Sequence, residues 1–203
     1  NGKVDTFSRN GKELNNFKLI QEELSKTIHD NPIKYPIVLD GEIVSKNFQE
    51  LMKQVHRKNA IQDHDATLFL FDILPFKSFK SGIEKKIYKE RTNLLKEWFE
   101  RNMNNLKRVK LINKDLVDLD TTQGQDIFKK FNNKSILDGY EGIMIKDPLS
   151  FYECKRSTTW LKLKPFMEIS LEVINFEEGS GKNKGKLGAL IAEGQDNGKF
   201  FKL

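Results

Sequence analysis

Apolar residues in the first part of the chain follow two different spacings. Within residues 17–28 they recur every three or four positions, which predicts an amphipathic helix. Residues 35–44 are rich in β-forming side chains and predict a strand. Helical spacing returns within residues 48–55 and predicts a short helix with Asn47 as its N-cap. Residues 67–74 form a nearly continuous apolar run, which is typical of a strand buried on both faces.

Helix and strand patterns continue to interleave further along the chain. Residues 83–101 predict a charged helix. Residues 122–137 predict a helix that buries Ile127, Phe128 and Phe131. Residues 141–146 and 160–164 predict the next strands. Because no strict strand–helix–strand repeat emerges, the pattern favours an α+β fold.

Pro165 interrupts these patterns and indicates a domain boundary. After it come strand-like stretches at residues 169–176, 187–192 and 200–203, as expected at the start of a small β-barrel. We therefore predict two domains, residues 1–167 and residues 168–203.

Composition narrows the class of protein without identifying it. The 203 residues are 37% hydrophobic and 32% charged, which suits a globular protein, and no apolar run approaches the roughly 20 residues of a membrane span. The net charge of +6 permits a polyanionic partner without requiring one. Cys154 is the single cysteine, which excludes an intrachain disulfide and favours a reducing compartment. Because the chain begins at Asn1 and ends at Leu203 within a strand pattern, we expect a fragment.

The strand predicted at residues 160–164 carries the clearest candidate chemistry. Alternate residues of a strand share a face, so Lys162 and Lys164 would point the same way as Trp160, about 7 Å apart. Two cations on one rigid edge form a clamp for a phosphate group. The alternative interpretation is an amphipathic strand with two solvated lysines.

Four further residues each allow a structural and a functional interpretation. Glu42 is either an exposed carboxylate beside a turn or a group that binds a ribose hydroxyl or a hydrated Mg²⁺. Glu141 is either a solvated residue at the start of a strand or a metal ligand. Phe71 either packs in the core or stacks on a base. Arg9 either faces solvent or holds a phosphate through a bidentate contact.

Two other segments do not support a site. Residues 179–182 resemble part of a P-loop, but Phe176 and Asn183 occupy positions that require Gly and Ser or Thr. The Asp-His-Asp sequence at residues 63–65 is interpreted as a solvated loop, because adjacent loop residues rarely converge on one metal ion.

Taken in order, five segments resemble motifs of the covalent nucleotidyltransferases, most closely the small phage-type ATP-dependent DNA ligases. The segments lie at residues 8–11 (Ser-Arg-Asn-Gly), 40–42 (Asp-Gly-Glu), 71–72 (Phe-Asp), 141–146 (Glu-Gly-Ile-Met-Ile-Lys) and 160–164 (Trp-Leu-Lys-Leu-Lys). The resemblance implies an ATP-grasp-like nucleotidyltransferase domain with antiparallel and mixed sheets and flanking helices, followed by the start of an OB-fold β-barrel. It also implies a monomer in the cytoplasm that uses ATP and Mg²⁺ or Mn²⁺ to seal nicked double-stranded DNA through lysyl-AMP and DNA-adenylate intermediates.

The resemblance assigns a role to each candidate residue. The catalytic pair that contacts the nucleotide phosphates would be Lys162 and Lys164. Arg9 would hold a phosphate of the nucleotide or the 5′-phosphate of the DNA nick, and Phe71 would stack on adenine. Glu42 would contact the ribose or support metal binding, and Glu141 would bind the metal.

One motif of this family is missing from the chain. The nucleophilic lysine of the family lies in a Lys-x-Asp-Gly-x-Arg sequence, whereas here the segment that begins Lys3-Val4-Asp5 continues with Thr6. Truncation before Asn1 is the simplest account, and it predicts that the chain alone is inactive. An RNA ligase, an mRNA-capping guanylyltransferase and a catalytically dead nucleotide- or DNA-binding module remain as alternatives.

Overall fold

The computed structural model describes residues 3–46, 48–56, 66–165, 169–196 and 198–202. These residues form two compact units, Asn1–Leu163 and Lys164–Leu203. The predicted cap at Asn47 and the loop at residues 63–65 lie outside the described residues.

The first unit mixes helices with short strands. Its helices are α1 (Lys18–Asp30), α2 (Phe48–His56), α3 (Phe76–Ser81), α4 (Tyr88–Asn102) and α5 (Thr122–Leu137). Its strands are β1 (Ile37–Val44), β2 (Thr67–Pro75), β3 (Ile83–Glu84), β4 (Val109–Leu111), β5 (Ile143–Lys146), β6 (Tyr152–Glu153) and β7 (Trp160–Leu163).

The strands of the first unit pair in three small sheets. In the largest, β2 lies between β1, to which it is antiparallel, and β4, to which it is parallel. Antiparallel pairs β3–β6 and β5–β7 form the other two. This mixture of parallel and antiparallel pairs with flanking helices confirms the α+β prediction.

The core of this unit lies between α1, α4 and the β1–β2–β4 sheet. Ile20 and Leu24 lie on the buried face of α1, and Phe17, the N-cap residue, continues their helical spacing. They belong to one cluster with Leu70 of β2 and Val109 of β4, both of which are fully buried. Burial on both faces, which the sequence predicted for β2, holds in part: residues 70 and 72–74 are buried, and the other residues of the strand are half-buried.

A bulge interrupts the pairing of β1 with β2 between Asp40 and Gly41. At this point the backbones approach closely, since a Cβ atom at Gly41 would lie 2.7 Å from the carbonyl oxygen of Phe69. Bulges bend a strand and redirect its side chains. The bulge immediately precedes Glu42.

Two predictions for the helices are wrong in part. The helix predicted from residue 83 begins at Tyr88, because Gly82 ends α3 with a φ of 81° and Ile83 then pairs with Glu153. Helix α5 has the predicted bounds, but Ile127 is 38% exposed rather than buried.

The second unit is an antiparallel meander in the order β10–β9–β8. Its strands are β8 (Glu172–Glu178), β9 (Leu187–Asp196) and β10 (Lys199–Lys202). Three strands therefore occur where the sequence predicted them. In the part of the chain that the structure describes, no helix is both long enough and apolar enough to cross a membrane.

Candidate functional site

The β5–β7 hairpin gathers several candidate side chains on one face. Its register pairs Lys146 with Trp160 and Met144 with Lys162. Directly paired residues of an antiparallel ladder lie on the same face, so Lys146, Trp160 and Lys162 share one. Ile143, on the opposite face, is buried.

The ammonium group of Lys146 lies within a box of aromatic rings. Its Nζ atom is 3.4 Å from the centroid of the Trp160 ring, 4.4 Å from that of Phe71 and 4.6 Å from that of Tyr88. Trp160 also meets Phe71 edge to face, with the two centroids 5.6 Å apart. The faces of aromatic rings attract a cation electrostatically, which holds the lysine in place.

Two buried hydrogen-bond donors in this box have no acceptor among the described residues. The Nζ atom of Lys146 and the Nε1 atom of Trp160 are both buried and lack a hydrogen-bond partner among the described residues. Burial lowers the pKa of Lys146 to about 8, while the carboxylates of Asp72 and Asp40 act in the opposite direction. A ligand that supplies hydrogen-bond acceptors would satisfy both donors.

A buried ion pair braces the strand that carries Phe71. The two carboxylate oxygens of Asp72 accept hydrogen bonds of 2.8 and 2.9 Å from Nε and Nη2 of Arg91, and both residues are almost completely buried. The guanidinium carbon of Arg91 also lies 5.6 Å from the ring centroid of Tyr88 and 5.5 Å from that of Tyr152. Helix α4 thereby fixes β2 at the position next to Phe71.

A second buried contact joins β6 to β1. The hydroxyl of Tyr152 donates a 2.7 Å hydrogen bond to Oδ2 of Asp40. Burial raises the pKa of the Asp40 carboxyl, and the hydrogen bond from Tyr152 opposes that rise. The ring of Tyr152 also contacts Trp160, with centroids 6.3 Å apart. The strand that carries Glu42 is thus connected to the aromatic box.

Three of the predicted site residues lie around β7. Lys162 Nζ is 3.2 Å from Oε2 of Glu141, and both side chains are at least half exposed, at 50% and 64%. Phe71 reaches the same strand through its contact with Trp160. The structure therefore brings Glu141 to Lys162 and Phe71 to Trp160.

Two other predicted site residues, Arg9 and Glu42, are not joined to this cluster by a contact among the described residues. Arg9 lies in the turn between Phe7 and Glu13, which form an isolated bridge. Glu42 is exposed on β1 opposite Phe69. Neither Arg9 nor Glu42 forms an ion pair with another described residue. Lys164 follows β7 and is the first residue of the second unit.

Sequence analysis missed the buried half of this site. It assigned no role to a polar set that surrounds Phe71 and Trp160: Asp40, Asp72, Tyr88, Arg91, Lys146 and Tyr152. The available signal was a charged residue inside or at the end of an apolar strand, as at Asp72 and Lys146. Such residues are rarely buried without a specific partner or function.

Comparison with known proteins identifies the family. The model of the ATP-dependent DNA ligase domain family matches residues 1–164. A DNA ligase of Methanothrix thermoacetophila is 29% identical, with 93% of this chain and 33% of that protein aligned. A DNA ligase of Methanococcus maripaludis is 28% identical, with 97% and 37% aligned. The chain spans about a third of the length of these curated relatives.

Solved structures show the same fold. The structure described as Pmar-Lig_PreS3 has a TM-score of 0.89 and 47% identity, and the match covers all of this chain and 47% of that one. The ATP-dependent DNA ligase of bacteriophage T7, in complex with ATP, has a TM-score of 0.62 at 16% identity, with 100% and 68% covered. At that identity the T7 structure supports the fold alone. Together with the family match over residues 1–164, these findings show that the chain belongs to the ATP-dependent DNA ligase domain family.

Proposed function

We propose that this chain is the nucleotidyltransferase part of an ATP-dependent DNA ligase that seals nicks in duplex DNA. The observation that carries the proposal is the joint position of Phe71, Trp160 and Lys162. The ring of Phe71, which suits a base, contacts Trp160 of β7. Lys162, whose cation suits a phosphate, lies two residues further along the same strand. The two buried donors of Lys146 and Trp160 fit a nucleotide, because a purine base carries ring acceptors.

The proposed roles follow from the chemistry of each side chain. Phe71 stacks on adenine, and Lys162 and Lys164 neutralise the charge that spreads over the phosphate oxygens during phosphoryl transfer. Glu42 binds the ribose or assists metal binding. Arg9 holds the 5′-phosphate at the nick or a phosphate of the nucleotide. These interactions position the reacting groups, which is the main protein contribution to phosphoryl transfer.

Glu141 is the residue best suited to a divalent ion. Mg²⁺ is commonly held by one or two carboxylates together with substrate phosphates and waters. No group of three or more acidic, His or Cys side chains is clustered among the residues that the structure describes, so a cage built from protein alone is not present there. A single carboxylate beside Lys162 fits an Mg²⁺ or Mn²⁺ ion that arrives with the nucleotide, and Glu42 is the second candidate ligand. The ion would supply charge neutralisation.

The remaining proposals concern the whole protein. We assign residues 1–167 to the adenylation domain and residues 168–203 to the start of an OB-fold domain. The substrates are ATP and nicked double-stranded DNA, and the protein acts as a monomer in the cytoplasm. The family's nucleophilic lysine is expected upstream of Asn1.

Two measurements test the function. Equilibrium dialysis of the 203-residue chain should show binding of ATP in preference to GTP. The product of the complete gene should seal a nick in DNA faster than the same nick in RNA. Preference for GTP or for an RNA nick would reject the proposal in favour of a capping enzyme or an RNA ligase. Absence of a Lys-x-Asp-Gly-x-Arg sequence in the complete gene would favour a non-catalytic module.

A further inference from the structure

Helix α3 exposes two aromatic rings beside two lysines. Phe76 and Phe79 are each 42% exposed, and their rings are nearly parallel with centroids 6.5 Å apart. Lys80 Nζ lies 5.7 Å from the centroid of the Phe76 ring. We call Phe76, Lys77, Phe79 and Lys80 the α3 surface. Core packing does not explain it, because all four side chains face solvent.

The positive charge of the α3 surface is not balanced locally. Lys77 and Lys80 form no ion pair with any described residue. Glu84, the first acid after α3 along the chain, accepts hydrogen bonds of 2.6 Å from the Ser78 hydroxyl and 2.8 Å from the backbone N–H of Lys86. Its carboxylate oxygens are therefore already engaged. The surface presents two ammonium groups next to apolar rings, which complements a polyanion.

Backbone contacts connect the α3 surface to the proposed active site within the first unit. The carbonyl oxygen of Gly82, which ends α3, accepts a 3.0 Å hydrogen bond from the N–H of Cys154. Directly before Cys154, β6 carries Tyr152, whose ring contacts Trp160 at the start of β7. A series of contacts through β6 therefore joins the end of α3 to β7, the strand that carries Lys162.

We propose that the α3 surface binds the sugar–phosphate backbone of duplex DNA beside the nick. Lys77 and Lys80 contact phosphates, and the rings of Phe76 and Phe79 pack against deoxyribose. Contacts of this kind supply most of the affinity of DNA-binding proteins and position the duplex without reading its sequence. The choice of duplex DNA as the partner rests on the proposed function.

The test compares two double variants of the 203-residue chain that remove the same charge. Lys77→Ala/Lys80→Ala alters the α3 surface, and Lys129→Ala/Lys130→Ala alters two exposed lysines of α5 that also lack ion pairs to described residues. Fluorescence anisotropy would follow binding to a labelled nicked duplex and to single-stranded DNA of equal length, at several salt concentrations between about 50 and 200 mM. ATP binding would be measured on the same samples.

The α3 variant should bind the nicked duplex about tenfold more weakly. The magnitude of its negative slope of log K against log salt should decrease by about two, one for each lysine. The α5 variant should match the unaltered chain, and both should keep any ATP binding. Equal losses in both variants, no duplex binding by the unaltered chain, or a loss confined to single-stranded DNA would each overturn the proposal. Absence of ATP binding from every sample would instead count against the proposed function and leave the comparison of variants valid.

Discussion

Lys146 places its ammonium group 3.4 Å from the centroid of the Trp160 ring, in a pocket that also contains the face of Phe71. Burial disfavours the charged form of this lysine, whereas the aromatic faces and the carboxylates of Asp72 and Asp40 favour the charged form. A group that stacks on the same face of Phe71 must share that face with the ammonium or displace it. The protonation of Lys146 and the shape of the proposed base site are therefore linked.

Replacing Lys146 with Met should change how stability depends on pH. The pKa of Lys146 falls from its ordinary value of 10.5 to about 8 in the folded state, so the unfolded chain binds more protons between these values. The free energy of unfolding of the unaltered chain should therefore rise relative to Lys146→Met between about pH 8 and 10.5, by up to about 3 kcal/mol. Urea unfolding followed by tryptophan fluorescence would measure it, since Trp98 and Trp160 both lie in the first unit.

The matched control for that experiment is Lys129→Met, which alters an exposed lysine of α5. Its stability difference from the unaltered chain should stay constant over the same pH range. If the stability difference between Lys146→Met and the unaltered chain were also independent of pH, the amine of Lys146 would be charged to the same extent in the folded and the unfolded chain.

Removing one partner of the Asp72–Arg91 pair should be strongly destabilising. Arg91→Met leaves the Asp72 carboxylate buried without its cation, which typically costs about 3–5 kcal/mol. The double variant Asp72→Leu/Arg91→Met should lose less than the sum of the two single variants, because no uncompensated charge remains. Urea midpoints of the four proteins form the required cycle. Strict additivity would mean that the pair is not coupled.

Phe71→Leu should weaken binding of ATP and leave binding of tripolyphosphate unchanged. Loss of one base–aromatic stack typically costs about 1–3 kcal/mol, which corresponds to a loss of affinity between roughly fivefold and 150-fold. Tripolyphosphate carries the same phosphates without a base and serves as the control ligand in the same dialysis experiment. Equal weakening of both ligands would assign Phe71 a purely structural role.

Lys162→Ala should sharply reduce AMP transfer by the product of the complete gene. Loss of one preorganised charge contact commonly costs about 3 kcal/mol, or a hundredfold or more in rate. Transfer of labelled AMP to a nicked duplex by Lys162→Ala would be compared with transfer by Lys129→Ala, which removes an exposed lysine of α5. Undiminished transfer by Lys162→Ala would contradict its proposed role.

The 203-residue chain alone should not retain label from α-labelled ATP after denaturation. It lacks the Lys-x-Asp-Gly-x-Arg sequence that supplies the attacking amine in this family. Denaturing gel electrophoresis after incubation with ATP and Mg²⁺ would detect a covalent adduct. Label that survives denaturation would place a nucleophile within these residues.

Sequence periodicity predicted the long elements well and the short ones poorly. Helix α5 has the predicted bounds, and β2 extends only one residue beyond them. Helix α3 was missed because its six residues are too few to show a period. The two-residue strand β3 was assigned to the following helix, since its pairing with β6 depends on residues far along the chain.

Sequence reasoning also found the exposed side of the site more readily than the buried side. Motif resemblance indicated Phe71, Glu141 and Lys162, which lie around β7. The box around Lys146 escaped it because 75 positions separate Lys146 from Phe71, and a local pattern does not show that a lysine is buried. Only the paired register of β5 and β7 places the amine beside Trp160.

The close approach of β1 to β2 constrains Gly41 and Glu42, two neighbouring residues of the Asp40-Gly41-Glu42 tripeptide, in different ways. Any side chain at position 41 would collide with the carbonyl oxygen of Phe69, so glycine is required there by the architecture alone. The exposed carboxylate of Glu42 has no comparable packing constraint. A descendant that had abandoned catalysis would be free to lose the glutamate yet compelled to keep the glycine. The glycine therefore reports on the fold, whereas retention of the glutamate bears on the role in nucleotide or metal binding that we propose for Glu42.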